Sequence, residues 1–325
     1  MRLPVKSYFP SFRGWFRNFF AQEAIFPFYA SFKLTSRCYF TCPFCNIKKT
    51  PTPDLPTSDI KAILENLSHS SVLVTSFEGG EPLLRADIGE ILRYARQCHF
   101  YLLFTTSVRN LFDYPLEEYA QFIDFFHVSI DEGHANLELF DQLPRLVELP
   151  MQVSVQTVVT ANSVDVLEDK VMRCWEAGAN IVVIPATHMD NAADCFPDID
   201  ALEKTLNTLR RQYPNTVYTP RGYFQAYRRR KCSSASIIIA PDGRLYYPCH
   251  IRGIKGPDLR TQDLNRWLIT PEARSIRKKM QYCDRNCGWY QYYAIGSYTS
   301  TVSVIDALRP MIHKKFSGKQ HKPPH

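Results

Sequence analysis

The sequence predicts an α/β fold, a partial (β/α)6 barrel followed by a small α+β domain that carries cysteines. Three observations predict it. Runs rich in β-branched residues alternate with helical segments six times between residues 30 and 220, the pattern of a parallel sheet with helices outside it. Six units are too few for an eight-fold barrel, so an open or partial barrel is expected. Near residue 220 the alternation stops and a hairpin with flanking cysteines begins. The chain of 325 residues is 45% hydrophobic and 22% charged, which excludes a disordered, collagen-like or coiled-coil chain. Four segments are expected: 1–29, an amphipathic N-terminal segment; 30–220, the barrel; 221–300, the small domain; and 301–325, a basic tail.

Residues 8–20 read YFPSFRGWFRNFF. Phe12, Trp15, Phe16 and Phe19 share one helical face, with Arg13, Arg17 and Asn18 turned away. The stripe predicts a short helix, closed off by Pro27, that docks its aromatic face on the body; a membrane surface is the other reading. Strands follow at 29–35, 71–77, 100–106, 124–130, 151–159 and 180–186. Helices are expected near 57–68, 87–97, 164–177 and 198–212. Ser163 is placed to cap the third, and Gly178 to end it. In the small domain, SIIIA and LYYPC flank the turn PDGR, a hairpin signal. A helix over 271–280 leads to CDRNC.

The formal net charge is +7. Residues 1–30 hold Arg2, Lys6, Arg13 and Arg17 against Glu23, a net +3. Residues 309–325 hold Arg309, Lys314, Lys315, Lys319 and Lys322 with no acid, a net +5, which leaves −1 for the rest. A nearly neutral body argues against nucleic acid as a partner. Basic ends suit either solvated tails or peripheral contact with an anionic membrane. No apolar run is long enough to span a bilayer, and the opening residues lack a secretory signal, so a cytoplasmic protein is expected.

Ten cysteines in such a chain call for a role other than disulfides. Cys98, Cys174 and Cys195 stand alone and read as small, half-buried side chains. Cys38, Cys42 and Cys45 are spaced C-x3-C-x2-C in the loop after the first strand, where parallel barrels place their chemistry. Zinc in a structural site wants four ligands, and only His69 and His99 offer themselves nearby. Three thiolates suit a 4Fe–4S cluster with one iron open. Cys232, Cys249, Cys283 and Cys287 form the second group, enough to ligate one zinc or one 4Fe–4S cluster completely.

The first group, with aromatic Phe44 before its last cysteine, resembles the signature of the radical S-adenosylmethionine (radical SAM) superfamily. Gly79-Gly80-Glu81-Pro82, at the end of the second strand, resembles that family's GGEP motif. The resemblance implies a 4Fe–4S cluster on Cys38, Cys42 and Cys45, with SAM bound at its open iron. It implies reductive cleavage of SAM to a 5′-deoxyadenosyl radical, which abstracts hydrogen from a substrate or adds to it. Gly79 and Gly80 would let backbone approach the methionyl end, and Glu81 would accept from the SAM ammonium. Phe44 would lie near the adenine. Thr105, Thr106, Ser107, Ser129 and Gln156, at later strand ends, are candidates for the ribose and carboxylate. Asp131, Glu132, His134, His188 and Asp190 are candidates for substrate contact or acid–base work.

Cys232, the turn at Gly243 and Cys249 resemble the auxiliary-cluster domains of that superfamily, called SPASM or twitch. The four-cysteine set matches the shorter, one-cluster type and implies an auxiliary 4Fe–4S cluster, with zinc as the alternative. Trp289, Tyr290, Tyr292, Tyr293 and Tyr298, with Tyr246 and Tyr247, would pack the small domain or line a substrate cavity. A reducing partner such as flavodoxin or ferredoxin is implied. The substrate class is open among a lipid or isoprenoid, a peptide and a small molecule. The rival reading is a non-enzymatic zinc or iron–sulfur protein.

Overall fold

Among the described residues, nine strands form a single sheet in the order β6-β5-β4-β3-β2-β1-β7-β8-β9. The computed structural model describes residues 5–187, 195–230, 232–233, 235–285 and 287–294. The first six strands are β1 (Tyr29–Lys33), β2 (Val74–Glu78), β3 (Tyr101–Thr106), β4 (Phe125–Ser129), β5 (Gln152–Val159) and β6 (Asn180–Pro185). All pair in parallel with their neighbours. This is the expected six-unit partial barrel. The helices in order are α1 (Val5–Ala21), α2 (Thr57–Ser68), α3 (Ile88–Gln97), α4 (Leu116–Tyr119), α5 (Leu143–Leu146), α6 (Leu167–Ala177), α7 (Ile199–Gln212), α8 (Arg221–Arg228), α9 (Leu264–Leu268), α10 (Pro271–Gln281) and α11 (Tyr290–Ala294).

Helical periodicity explains the outer layer. Ile60, Ile63, Leu64 and Leu67 form the buried face of α2, and Ile88, Ile91, Leu92 and Ala95 that of α3. Outward strand residues such as Phe77, Leu102, Phe104, Phe126 and Val128 pack in the same core as these helices. The alternate residues turn inward, as the period of two requires. Val74, Ser76 and Glu78, then Tyr101, Leu103 and Thr105, then Phe125, His127 and Ser129 line a cavity inside the barrel.

The C-terminal region does not build a separate sheet. Strand β7 (Ser236–Ile239) pairs in parallel with β1. The expected hairpin then carries β8 (Arg244–Tyr246) back antiparallel, through a turn in which Gly243 has φ 80°. Strand β9 (Lys255–Asp258) extends the edge; its sequence KGPD carries no alternating pattern and gave no strand signal. Thr270 caps α10 by accepting from the Ala273 N–H.

Two local expectations fail. Ser163 does not cap α6: its hydroxyl accepts from Thr160 N–H at 2.8 Å, and the helix starts later, at Leu167, without a side-chain cap. Gly178 ends it as expected, with φ 73°. The second failure is larger. Helix α1 docks through Ser11, Gly14 and Asn18, with Trp15 half-buried beside them, while the rest of its aromatic stripe faces outward. Asn18 is fully buried; its amide donates to Phe26 C=O at 2.8 Å and accepts from Ile25 and Phe26 N–H at 2.9 Å. A Cβ on Gly14 would lie 2.5 Å from that of Ser71. Close approach and hydrogen bonding thus win over apolar area, and the rings of Phe12, Phe16 and Phe19 are exposed. Pro27 lies beyond the helix end, which falls at Ala21.

Candidate functional site

The loops after β1 and β2 are laced side by side at the C-terminal end of the barrel. Leu34 N–H donates to Glu78 C=O at 2.8 Å, Gly80 N–H to Thr35 C=O at 2.7 Å and Glu81 N–H to Arg37 C=O at 2.7 Å. Gly79 has φ 141°, and a Cβ there would lie 2.6 Å from the Thr35 carbonyl oxygen. At Gly80 the distance to the Arg37 oxygen would be 1.9 Å. Both positions therefore require glycine for backbone contact within the protein, in addition to any ligand.

Cys38, Cys42 and Cys45 follow on the first of these loops, half-buried, buried and exposed in that order. Burial pushes the Cys42 thiol up to about 12, and Asp131, Cys45 and Cys38 add to the rise. Burial also raises Cys38, against an opposing hydrogen bond from the Phe40 backbone. The three sulfurs thus act on one another electrostatically, and metal binding here would displace protons.

Glu81 is fully buried. One of its carboxylate oxygens accepts from Thr106 Oγ1 at 2.8 Å and Leu83 N–H at 3.1 Å. The other accepts from Ser107 N–H at 2.9 Å. Burial raises its pKa, and these four-square hydrogen bonds oppose the rise. Through these bonds the carboxylate ties the β2 loop to the end of β3. Pro82 opens a short 3-10 turn behind it.

A cavity of about 400 Å³ opens beside this loop pair. Phe44, Cys45, Gly79, Gly80, Ser129 and Gln156 line it, as do Thr105, Ser107 and His134. Asp131 is buried and organises the β4 loop: one carboxylate oxygen accepts from His134 N–H at 2.9 Å and lies 2.8 Å from Nδ1 of that ring. The His134 ring then sits edge-on to Phe40 and Phe44. Gly133 makes room for Phe44, since a Cβ there would lie 2.2 Å from the ring. Glu132 is drawn off to Lys170, at 2.6 Å. His188, Asp190 and Tyr298 lie outside the described residues.

The barrel interior adds residues that motif reading missed. Lys33 pairs with Glu78 at 3.1 Å, and Gln291 donates to Glu78 at 3.1 Å. His127 faces the same cavity with its Nδ1 unpaired among the described atoms. Their signal was present: each strand residue is at an inward position of its strand. Burial pushes His127 down to about 4, with Glu78 opposing. Its folded pKa lies below its unfolded value, so the unfolded state binds its proton more readily. This contribution to stability is complete above about pH 6.5 and falls by about 3 kcal/mol as pH drops toward 4. Thermal unfolding between pH 7.5 and 4.5 is expected to show a shallower acid decline in His127→Phe; an unchanged decline would contradict this.

The second cysteine group gathers at one pocket. Cys232, Cys249, Cys283 and Cys287 line one small, enclosed cavity with Tyr292 and Tyr293. Burial pushes Cys232 up to about 12 and Cys249 up to about 11, and the neighbouring thiols contribute to each rise. Backbone groups of Arg252 and Ile251 hydrogen-bond Cys249 and oppose the rise, and Trp289 does so for Cys287. The neighbouring Cys283 raises the Arg252 guanidinium. Among the described residues no three His, Cys, Asp or Glu side chains converge tightly enough to hold a single metal ion. The aromatics divide their work. Trp289 and Tyr290 line the barrel cavity, Tyr292 and Tyr293 wall the cysteine pocket, Tyr246 packs on His250, and Tyr247 packs on Trp267.

The model of the Radical SAM superfamily matches residues 32–145, which include the first cysteine loop and the Gly79-Gly80 turn. A PqqA peptide cyclase of Xanthomonas campestris is 32% identical over 272 residues, 71% of this chain and 70% of that protein. A PqqA peptide cyclase of Gluconobacter oxydans is 26% identical over 283 residues, 75% of this chain and 77% of that protein. The structure of Streptococcus suis SuiB bound to precursor peptide SuiA superposes with a TM-score of 0.64 at 16% identity, covering 85% of this chain and 73% of that one. At that identity the likeness is one of fold.

Proposed function

This chain belongs to the radical SAM superfamily and is an enzyme, and we propose that it modifies a peptide. The reading rests on one observation above the rest: curated relatives matching over most of their length are peptide cyclases. The non-enzymatic alternative has no such support.

The residues fit the cofactors of that superfamily. Cys38, Cys42 and Cys45 would hold the SAM-binding 4Fe–4S cluster. Phe44, Gly79, Gly80, Ser129 and Gln156, all on the cavity wall, would hold SAM. Glu81, Pro82 and Thr106 belong to the same set: Glu81, held by Thr106, would accept from the SAM ammonium, and Pro82 opens the turn behind it. Bound together, cluster and SAM supply the homolytic hydrogen-abstraction chemistry of the superfamily. The chain's own part is to hold both against the substrate and to keep out water and stray hydrogen donors. The apolar wall of Tyr101, Leu103, Phe125, Val182 and Ile184 suits that exclusion. Lys33, Glu78 and Gln291 supply the polar contacts that would orient a peptide group.

Cys232, Cys249, Cys283 and Cys287 would hold an auxiliary 4Fe–4S cluster of the twitch type. The gathering of four cysteines at one enclosed pocket suits thiolates ligating a cluster. Trp289 lines the barrel cavity and lies 4.9 Å from the ring of His250, next to Cys249. A flavodoxin- or ferredoxin-like protein would supply electrons. The substrate reading is tested by presenting the reduced, reconstituted enzyme with a peptide library and, separately, a lipid extract. The expected result is 5′-deoxyadenosine formation stimulated by peptide, with a peptide of altered mass. Turnover of a lipid component alone would contradict it.

A further inference from the structure

We propose that α1 lies on an anionic lipid bilayer, with its aromatic face in the interfacial region. Phe9 is 74% exposed, Phe12 61%, Phe16 48% and Phe20 68%. A contiguous aromatic face of this kind marks an interaction surface. Nothing among the described residues covers it. The face is not an accident of loose docking. The opposite side is fitted to the body by the Gly14–Ser71 approach and the buried Asn18 hydrogen bonds, which hold the rings outward. The rings also contact each other, Phe16 on Phe20 at 4.5 Å and Phe19 on Phe20 at 5.6 Å.

Charge identifies the occupant. Residues 5–21 contain Lys6, Arg13 and Arg17 and no acid. At 100° per residue these three positions fall in one arc that borders the aromatic arc. An aromatic face flanked by basic residues is the arrangement of a helix lying in a bilayer interface. Arg17 also spans 4.7 Å to the Phe26 ring, so one flank of the helix is anchored to the body. A second copy is the poorer occupant. Pairing two α1 helices face to face would set basic residues together with no acid in either helix to offset them. The segregation of charge agrees: the ends of the chain are basic and the remainder sums to −1. No helix of the described residues is long and apolar enough to cross a membrane, so the contact is peripheral.

The test is sedimentation of the full chain with phosphatidylcholine vesicles and with vesicles containing about 30% phosphatidylglycerol. The intact protein is expected to sediment with the anionic vesicles and to be released by salt. F12S/F16S/F20S should lower the bound fraction about tenfold or more. R13Q/R17Q should remove the preference for anionic over neutral vesicles. All substituted rings are exposed, so melting temperatures should match, and a matching melt is required for the comparison. Three results overturn the proposal: no vesicle binding by the intact protein, vesicle binding undiminished in F12S/F16S/F20S, or a solution dimer that this triple variant dissociates without any vesicle binding by the parent.

Discussion

Cys42→Ala is expected to abolish SAM cleavage, by about 100-fold or more, while leaving the fold in place. Cys42 is the most buried of the three first-group thiols, so alanine replaces it with little strain. A three-ligand cluster site that loses one ligand loses its hold on the metal. Bound iron should fall to about half of the parent value, because the second cysteine pocket is untouched. Cys283→Ala is expected to do the converse. It opens the second pocket, lowers iron by a similar amount and leaves SAM cleavage measurable while substrate turnover fails. The pair separates the two sites. Iron and sulfide counts with 5′-deoxyadenosine as readout decide it, and full cleavage in Cys42→Ala would refute the site.

Gly80→Ala should be the most damaging single methyl in the molecule. Its Cβ would lie 1.9 Å from the Arg37 carbonyl oxygen and 2.6 Å from the carbon. That neighbour is backbone and cannot rotate aside. The contact sits between the Gly80–Thr35 and Glu81–Arg37 hydrogen bonds, so relief would unlace the two loops. The expected cost is about 3 kcal/mol, at the upper end for overpacking, together with loss of SAM affinity. Gly253→Ala is the control. Gly253 has φ 63° and nothing within 4 Å of its would-be Cβ, so only backbone strain of about 1 kcal/mol is expected. Chemical denaturation and SAM titration compare them. Equal costs would mean that the loop lacing is softer than described.

The barrel was legible in the sequence because its strands are β-branched runs and its helices carry apolar residues three and four apart. Ile60, Ile63, Leu64 and Leu67 announce α2 without any knowledge of the fold. The cysteine groups and the Gly-Gly turn were legible because their chemistry constrains residue type at fixed spacing. Other features were not. The aromatic stripe of α1 obeys the same periodicity as a buried face, and composition alone does not reveal that Gly14 and Asn18 fit the body better. The role of Glu81 depends on where its carboxylate turns, which the motif does not encode. Lys33 and Glu78 meet because β1 and β2 pair in that register, and His127 faces the same cavity from β4; strand pairing is not written in the local pattern. Strand β9 exists because β8 offers it an edge, and KGPD has little strand tendency of its own.

The protein is reconstituted anaerobically with iron and sulfide, its metals are counted, and dithionite-driven cleavage of SAM is followed. About eight irons per chain and formation of 5′-deoxyadenosine are expected. About four irons with zinc, and cleavage intact, would retain the first site and replace the auxiliary cluster with a structural metal. Zinc alone, with no cleavage after full reconstitution, would contradict the account.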